Sequence, residues 1–370
     1  MIQNVNSKSL KELTNKVKHK FINIMNINIE GGYCINDKNN KNSEIIVDII
    51  KDLSKKLVKL NIVDILRFSR PAKITSPMTL HQTCGNEWKR TDLLEKAYQC
   101  KDPIERMKYV FCFAISGIHQ GPYLCKSNAP FNPILGETYQ ATLPNGSRLY
   151  MEQTEHHPPS FNYLLYGPEN HFIFSGFGTI EANLDTINII KGDRIGKNII
   201  KFADGSLYSF TNLKTRISGV VMGERIYNYF GDLIIKDYKN KIECIYTLID
   251  TYNQGLLSKM IFGKHKIQYD EGKVEIKQVN PQTKEKELKA TGYASWLGQA
   301  FFDGKQYWSI FENTDNWSQD NMNFVLESDS TKRLDLIDLI KGDYDGAQKN
   351  KEKLESLQRE DAKKRESNEK

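Results

Sequence analysis

The feature that most constrains the fold of this 370-residue chain is a period-two hydrophobic pattern between about residues 147 and 312. Short runs there, such as RLYMEQT, SFNYLLY and IYNYFGDLIIK, are rich in β-branched and aromatic residues. Turn signals separate the runs: Asn145-Gly146, Gly167-Pro168, Asp204-Gly205, Glu271-Gly272 and Asp303-Gly304. About a dozen strands with no helices between them predict one antiparallel sheet, which tends to curl or close because open edges are hazardous. We therefore expect a barrel over about 135–315, with room inside for a ligand.

Helical patterns flank the predicted sheet. Residues 8–25 form a basic amphipathic pattern, which fits either a helix lying on a membrane surface or a helix packed on its own domain. Ser43 can cap a second helix that Pro71 stops, so residues 1–68 are predicted to be helical and to precede a domain over 69–370. Within that domain we expect helices at about 87–118 and 332–368. The first of these contains a strong start signal, with Asp102 at the N-cap, Pro103 at N1 and Glu105 at N3.

Composition excludes several classes of protein. The 39% hydrophobic and 26% charged residues are typical of a globular chain with a sizeable core. The net charge of +6 is compatible with anionic membrane surfaces and too weak to indicate nucleic-acid binding. None of the six cysteines forms a C-x-x-C pair, which argues against a zinc knuckle or redox dithiol and favours reduced cytosolic thiols. No secretory signal is evident, and no apolar run approaches the roughly 20 residues that span a bilayer.

The residues most informative about function are Glu152 to Pro159, which read EQTEHHPP. Each proline disfavours helix at the residue before it, so His156 and His157 are expected on rigid extended backbone at a strand end. Imidazoles held there can donate hydrogen bonds to an anion. A metal site is disfavoured, because neighbouring histidines rarely bind one metal and no other ligand motif accompanies them. An exposed structural pair remains the alternative interpretation.

This segment resembles the fingerprint of the oxysterol-binding protein family, E-Q-V-S-H-H-P-P, at six of its eight positions, with departures at Thr154 and Glu155. The segment PFNPILGET, from Pro130 to Thr138, is similar to the P-x-N-P-x-L-G-E segment of the same family. A third resemblance, to the closing helix of the family, is carried by Arg333, Asp335, Gly342 to Asp345, Ala347, Lys351, Leu354, Glu355, Gln358 and Arg359. Together the matches cover about 70–365 and indicate a short form consisting of the lipid-binding domain.

The resemblance implies a mainly β (α+β) fold: a large antiparallel β-barrel with a central lipid tunnel, an N-terminal helical lid within 1–68 and C-terminal helices. Family members bind a sterol or another lipid, and many alternatively bind phosphatidylinositol 4-phosphate (PI4P) with its headgroup at the tunnel mouth. The headgroup ligands of the family match His156, His157, Lys351 and Arg359, with Glu355 as a supporting partner. The segment at the tunnel mouth matches Pro130, Phe131, Asn132, Pro133 and Glu137.

One departure bears on the anion site. The lysine that the family usually carries before the P-x-N-P segment is Ala129 here, and Lys126 is the candidate substitute. The helical trio at Lys351, Glu355 and Arg359 has i, i+4, i+8 spacing, so it shares one face and spans about 12 Å. Without the family match, a solvated and salt-bridged helix would be the alternative interpretation of that trio.

The function we expect from the sequence is transfer of single lipids, a sterol or PI4P or both, between the cytosolic faces of membranes. We expect a monomeric, cytoplasmic, peripheral membrane protein that needs no metal, cofactor or catalytic residue and binds no nucleic acid. A lipid sensor without net transfer is an alternative that the sequence does not separate from it. A lipid-modifying hydrolase with the histidine pair as base is disfavoured, because no nucleophile is evident near His156.

Overall fold

The structure is a computed structural model, and it describes residues 31–35, 71–125, 128–186, 188–220, 222–248, 270–312 and 314–368. Several predictions fall outside these residues: the helices at 8–25 and from Ser43 to Phe68, the lid, the boundary between 68 and 69, and the position of Lys126.

The alternating pattern forms one antiparallel sheet of 15 strands, as predicted. Its strands are β1 (Tyr33–Cys34), β4 (Thr138–Thr142), β5 (Arg148–His156), β6 (Pro159–Tyr166), β7 (Phe172–Thr186), β8 (Ile189–Ile195), β9 (Asn198–Phe202), β10 (Leu207–Phe210), β11 (Lys214–Ser218), β12 (Ile226–Asp237), β13 (Ile242–Leu248), β14 (Glu271–Val279), β15 (Lys286–Ser295), β16 (Gln299–Phe302) and β17 (Lys305–Ser309). Two further strands, β2 (Thr75–Thr79) and β3 (Ala129–Phe131), pair in parallel beside it.

Two long strands, β7 and β12, each change partners along their length, and this divides the sheet. Strand β7 pairs with β9 along Phe172–Gly176 and with β8 along Thr179–Thr186. Strand β12 likewise pairs with β10 near its end and with β11 near its start. Strands β8 and β11 also pair with each other. Together with β7 and β12 they form a second wall, in which β8 and β11 lie outside the main strand order. A long curled sheet of this kind encloses an interior, which agrees with the predicted barrel.

Four helices precede the main strands: α1 (Leu80–Glu87), α2 (Thr91–Gln99), α3 (Pro103–Ser116) and α4 (Gln120–Cys125). The helical region therefore begins earlier than the predicted residue 87, because Thr79 and Gln82 form a capping box that starts α1. The start of α3 is confirmed, since the Asp102 carboxylate accepts a hydrogen bond from the Ile104 amide at 3.0 Å and Pro103 is the first helical residue.

Helix α3 lies against the inner face of the sheet. Met107, Val110, Phe111 and Ile115 are completely buried on it. The Phe111 ring meets the ring of Tyr246 on β13 edge to face, with centroids 5.5 Å apart. A helix buried over so much of its surface acts as a wall of the core, and it fixes the volume that the sheet can enclose.

The C-terminal helices are present as α5 (Leu334–Lys341) and α6 (Tyr344–Asn368), so the helical stretch predicted at about 332–368 is divided in two. Gly342 separates them with a left-handed backbone (φ 81°), and its amide bonds to the Leu339 carbonyl at 3.0 Å. None of the described helices combines the length and apolar character needed to span a bilayer.

Candidate functional site

A cavity of about 510 Å³ lies between helices α1, α3 and α4 and the wall formed by strands β7, β8, β11 and β12. Its lining is mostly apolar and includes Ile74, Leu80, Trp88, Phe113, Ile118, Pro122, Ile180, Ile190, Leu213, Ile217, Val220 and Leu233. Cavities of a few hundred Å³ with such walls are typical of sites that take an apolar small molecule. The predicted central cavity is therefore present in the described residues.

A buried ion pair interrupts the apolar lining. Arg194 on β8 donates to the Glu87 carboxylate at 2.8 Å and to the side-chain oxygen of Asn212 at 3.0 Å. Burial raises the pKa of Glu87, and the guanidinium of Arg194 opposes that rise. All three residues line the cavity, so a donor and an acceptor are presented together to whatever occupies it.

Gly117 allows the two helices around this pair to meet. A Cβ atom at residue 117 would lie 1.7 Å from the carbonyl oxygen of Glu87, so only glycine permits the end of α3 to approach the end of α1 this closely. Sequence reasoning missed the ion pair, because Glu87 and Arg194 stand 107 positions apart and neither belongs to a motif.

The histidine motif forms a hairpin. His156 ends β5 and faces Pro159, the first residue of β6, while His157 and Pro158 form the turn between them through a cis peptide bond. The expected strand end is therefore present at His156, and a two-residue turn at His157 and Pro158 follows it. The two imidazole rings lie 4.4 Å apart between centroids.

The two histidines have different surroundings. His157 is exposed and His156 is half-buried. Burial, assisted by repulsion from His157, lowers the pKa of His156 to about 4, although the Pro133 backbone and the Glu355 carboxylate act in the opposite direction. The His156 Nδ1 atom is buried, and in the part of the chain that the structure describes it has no hydrogen-bond partner. At neutral pH the His156 ring is therefore neutral in the free protein, and it has capacity for a further hydrogen bond.

Helix α6 brings the predicted cation cluster beside this hairpin. The Lys351 side chain, 8% exposed as a residue, pairs with the Glu355 carboxylate one helical turn later. The electrostatic effect of Glu355 on His156 places that turn of α6 next to the hairpin. Arg359 is exposed, and within the described part of the chain it makes no ion pair. The structure thus brings Lys351 and Glu355 close to His156 and His157, whereas Arg359 is exposed one turn further along α6.

The residues of the PFNP segment, predicted together at the tunnel mouth, have different surroundings in the structure. Ala129 and Pro130 line the cavity, the Asn132 side chain is exposed, and the Pro133 backbone meets His156. Phe131 is buried in a small apolar cluster with Ala72, Leu336, Leu339 and Ala347. Phe131 therefore docks α5 and α6 onto β3, and it is not among the residues that line the cavity.

Glu137 is also a buried structural residue. Its carboxylate, 2% exposed, accepts hydrogen bonds from Arg333 at 2.8 Å and from the Ile134 amide at 3.0 Å. Arg333 also forms a two-pronged pair with Asp335, and its guanidinium lies 5.1 Å from the centre of the Phe131 ring. Burial raises the pKa of Glu137 to about 7, against the attraction of Arg333. These interactions attach the start of α5 to the segment from Asn132 to Glu137.

Comparison with known proteins agrees with this architecture. A family model described as oxysterol-binding protein matches residues 54–370. Oxysterol-binding protein 9 of Dictyostelium discoideum is 32% identical over 279 residues, which are 72% of this chain and 63% of that protein. Human oxysterol-binding protein-related protein 6 is 29% identical over 193 residues, which are 49% of this chain and 19% of that protein. The chain thus spans less than two thirds of the first relative and about a fifth of the second.

Two solved structures share the fold. The Osh3 domain of Saccharomyces cerevisiae, solved in complex with PI(4)P, is 21% identical and superposes with a TM-score of 0.69. The match covers 86% of this chain and 84% of that domain. The Osh1 domain, solved in complex with ergosterol, is 21% identical and has a TM-score of 0.68. This match covers 82% of this chain and 77% of that domain. With the family model matching most of the sequence, the chain belongs to the oxysterol-binding protein family.

Proposed function

We propose that this protein binds one membrane lipid at a time in its cavity and transfers it between membranes. The observation that carries the proposal is the 510 Å³ apolar cavity enclosed by the curled sheet and helices α1, α3 and α4. Burial of apolar surface supplies affinity for a lipid, and a few polar groups set its orientation. No covalent step is required, so we propose neither a catalytic residue nor a cofactor.

A sterol is the apolar cargo that the polar part of the cavity suits best. Glu87, Arg194 and Asn212 present hydrogen-bond acceptors and donors while their charges cancel. A neutral hydroxyl can both donate and accept there, whereas a charged group would leave one net charge buried, which is costly. A sterol therefore enters with its hydroxyl toward Arg194. The Osh1 domain, solved once with ergosterol and once with cholesterol, supports the same class of ligand.

PI4P is the proposed second ligand, with its headgroup between the histidine hairpin and α6. Its phosphate would replace Glu355 as the partner of Lys351 and would accept hydrogen bonds from His156 and His157. The exposed Arg359 would contribute from the next turn of α6, because a long cationic side chain can rotate toward an anion. The complex of the Osh3 domain with PI(4)P supports this assignment. Exchange of the two lipids at cytosolic membrane surfaces follows as the role of a cytoplasmic, peripherally bound monomer.

Transfer between two liposome populations tests the proposal. The purified chain should extract one lipid per molecule from donor liposomes and deliver it to acceptors, and mass spectrometry should identify that lipid. Replacing His156 and His157 with alanine should weaken PI4P binding about a hundredfold or more and leave the sterol bound. A protein that binds lipid without net delivery is a sensor instead. Failure to extract any lipid would refute the whole proposal.

A further inference from the structure

The residues of α6 divide into two faces near the histidine hairpin. Glu352, Lys353, Ser356, Leu357, Arg359 and Glu360 are exposed. Lys351, Leu354, Glu355 and Gln358 are buried or half-buried, at the three- and four-residue spacing of one helical face. Gln358 lies three residues after Glu355 and seven after Lys351, so it continues the inward row of the cation cluster. The exposed Arg359 lies about 100° around the helix from it.

The amide nitrogen of Gln358 is buried and has no hydrogen-bond partner among the described residues. A buried donor without a partner destabilises a protein, and such groups in native structures call for an explanation, of which a ligand is one. The Nδ1 atom of His156 is in the same condition. His156 interacts electrostatically with Glu355, less than one helical turn before Gln358. Two unsatisfied polar atoms therefore occur at one junction, where an oxygen-rich ligand would satisfy both.

We propose that Gln358 is a ligand of the inositol phosphate headgroup, with its side-chain amide donating a hydrogen bond to a headgroup oxygen. This inference rests on the proposed binding of PI4P. The two neighbouring residues of α6 then have different roles. Gln358 orients the headgroup by a short-range contact of its neutral amide, and the exposed Arg359 attracts the anionic headgroup over a longer distance. Because a neutral amide has no counterions to displace, its contribution should not depend on salt, whereas that of Arg359 should shrink at high salt.

The Gln358→Met variant tests the proposal, since methionine has a similar length and no polar hydrogen. The free protein should be as stable as the wild type or more so, because the unpaired buried donor is removed. Affinity for PI4P in vesicles should fall about tenfold or more, by the same factor at low and high salt. Sterol binding should not change. A purely structural role predicts instead that stability falls along with affinity.

Gln348→Met is the matched control on the same helix. The Gln348 side chain is paired, since its oxygen accepts from the Ala72 amide at 2.8 Å and its nitrogen donates to Glu352 at 2.7 Å. This variant should lose stability and keep its PI4P affinity. Soluble inositol 1,4-bisphosphate and inorganic phosphate serve as competitors of PI4P. If Gln358 contacts the inositol ring, the Gln358→Met variant should be less sensitive to inositol 1,4-bisphosphate alone. If Gln358 contacts the phosphate, the variant should be less sensitive to both competitors.

Two outcomes would overturn the assignment. A Gln358→Met protein with PI4P affinity within twofold of the wild type excludes Gln358 as a ligand, and so does a parallel loss of stability and affinity. Failure of the proposed function is recognised separately, because the wild-type protein itself would then bind no PI4P and the histidine variants would not differ from it; that result also removes the role of Gln358.

Discussion

Replacing Arg194 with methionine should be among the most destabilising single changes in the cavity wall. The change removes the 2.8 Å ion pair with Glu87 and the 3.0 Å hydrogen bond to Asn212. It leaves the Glu87 carboxylate, whose side chain is 10% exposed, facing an apolar cavity with no cation beside it. Breaking a buried pair in this way costs about 3–5 kcal/mol, because one charge stays buried without compensation.

Urea unfolding monitored by circular dichroism measures this cost. With a slope of about 3 kcal/mol per molar, the midpoint should fall by about 1–2 M. The loss should be smaller at pH 5 than at pH 7.5, because an isolated buried carboxyl takes up a proton and loses its charge. Net stability of natural domains is about 5–15 kcal/mol, so the variant should still fold at low temperature.

The double variant Glu87→Leu/Arg194→Met is the control. It removes both charges and fills similar volumes with apolar side chains, a replacement that is often neutral or stabilising for a buried pair. We expect the double variant to be more stable than Arg194→Met alone by about 2 kcal/mol or more. A single variant within about 1 kcal/mol of the wild type, or a double variant no more stable than the single one, would contradict the reasoning.

The same double variant tests the orientation of the cargo. It should bind a sterol and its hydroxyl-free analogue with similar affinity, whereas the wild-type protein should prefer the sterol by about fivefold or more, the worth of one hydrogen bond. Equal affinities in the wild type would show that the hydroxyl does not meet Arg194.

Ala129 is half-buried and lines the cavity directly before Pro130, so Ala129→Lys should tighten PI4P binding by about five- to thirtyfold, less at high salt, as measured by competition between the two lipids. No gain in Ala129→Lys together with a strong loss in Lys126→Ala would show that Lys126 already fills this role, and no effect in either would indicate a different lipid. Burial lowers the pKa of His81 to about 4 against 6.5 for an unperturbed ring, despite its hydrogen bond to Gln153, so the unfolded chain takes up the extra proton and stability falls as the pH drops from 6.5 toward 4. Urea unfolding measures the drop in the free energy of unfolding between pH 7.5 and pH 4.5, and this drop should be about 3 kcal/mol smaller for His81→Asn than for the wild type. Equal drops in the two proteins would refute this assignment. Deleting residues 1–68 should speed lipid release and impair transfer if they form the lid, and an unchanged release rate would exclude that role.

Local chemistry along the chain was enough to predict the class of fold and the family. The period-two pattern after residue 147 depends on side chains alternating between the two faces of a strand, and the cap at Asp102 depends on one carboxylate and its neighbouring amide. The two histidines and two prolines of EQTEHHPP are contiguous, so they could be recognised without knowing what lies opposite them. Strands such as LYSF in β10 and KTRIS in β11 were harder to predict, because they are short and depend on partners elsewhere in the sheet.

Only the tertiary structure decided which polar residues face the ligand. Glu87 and Arg194 meet because α1 and β8 pack on the same cavity, which no local pattern encodes. Phe131 and Glu137 belong to a recognisable motif, yet packing against α5 makes them structural. A step of one residue turns a helix by about 100°, so whether Gln358 or Arg359 faces the hairpin depends on how α6 docks through Ala347, and the sequence alone carries no information about that rotation.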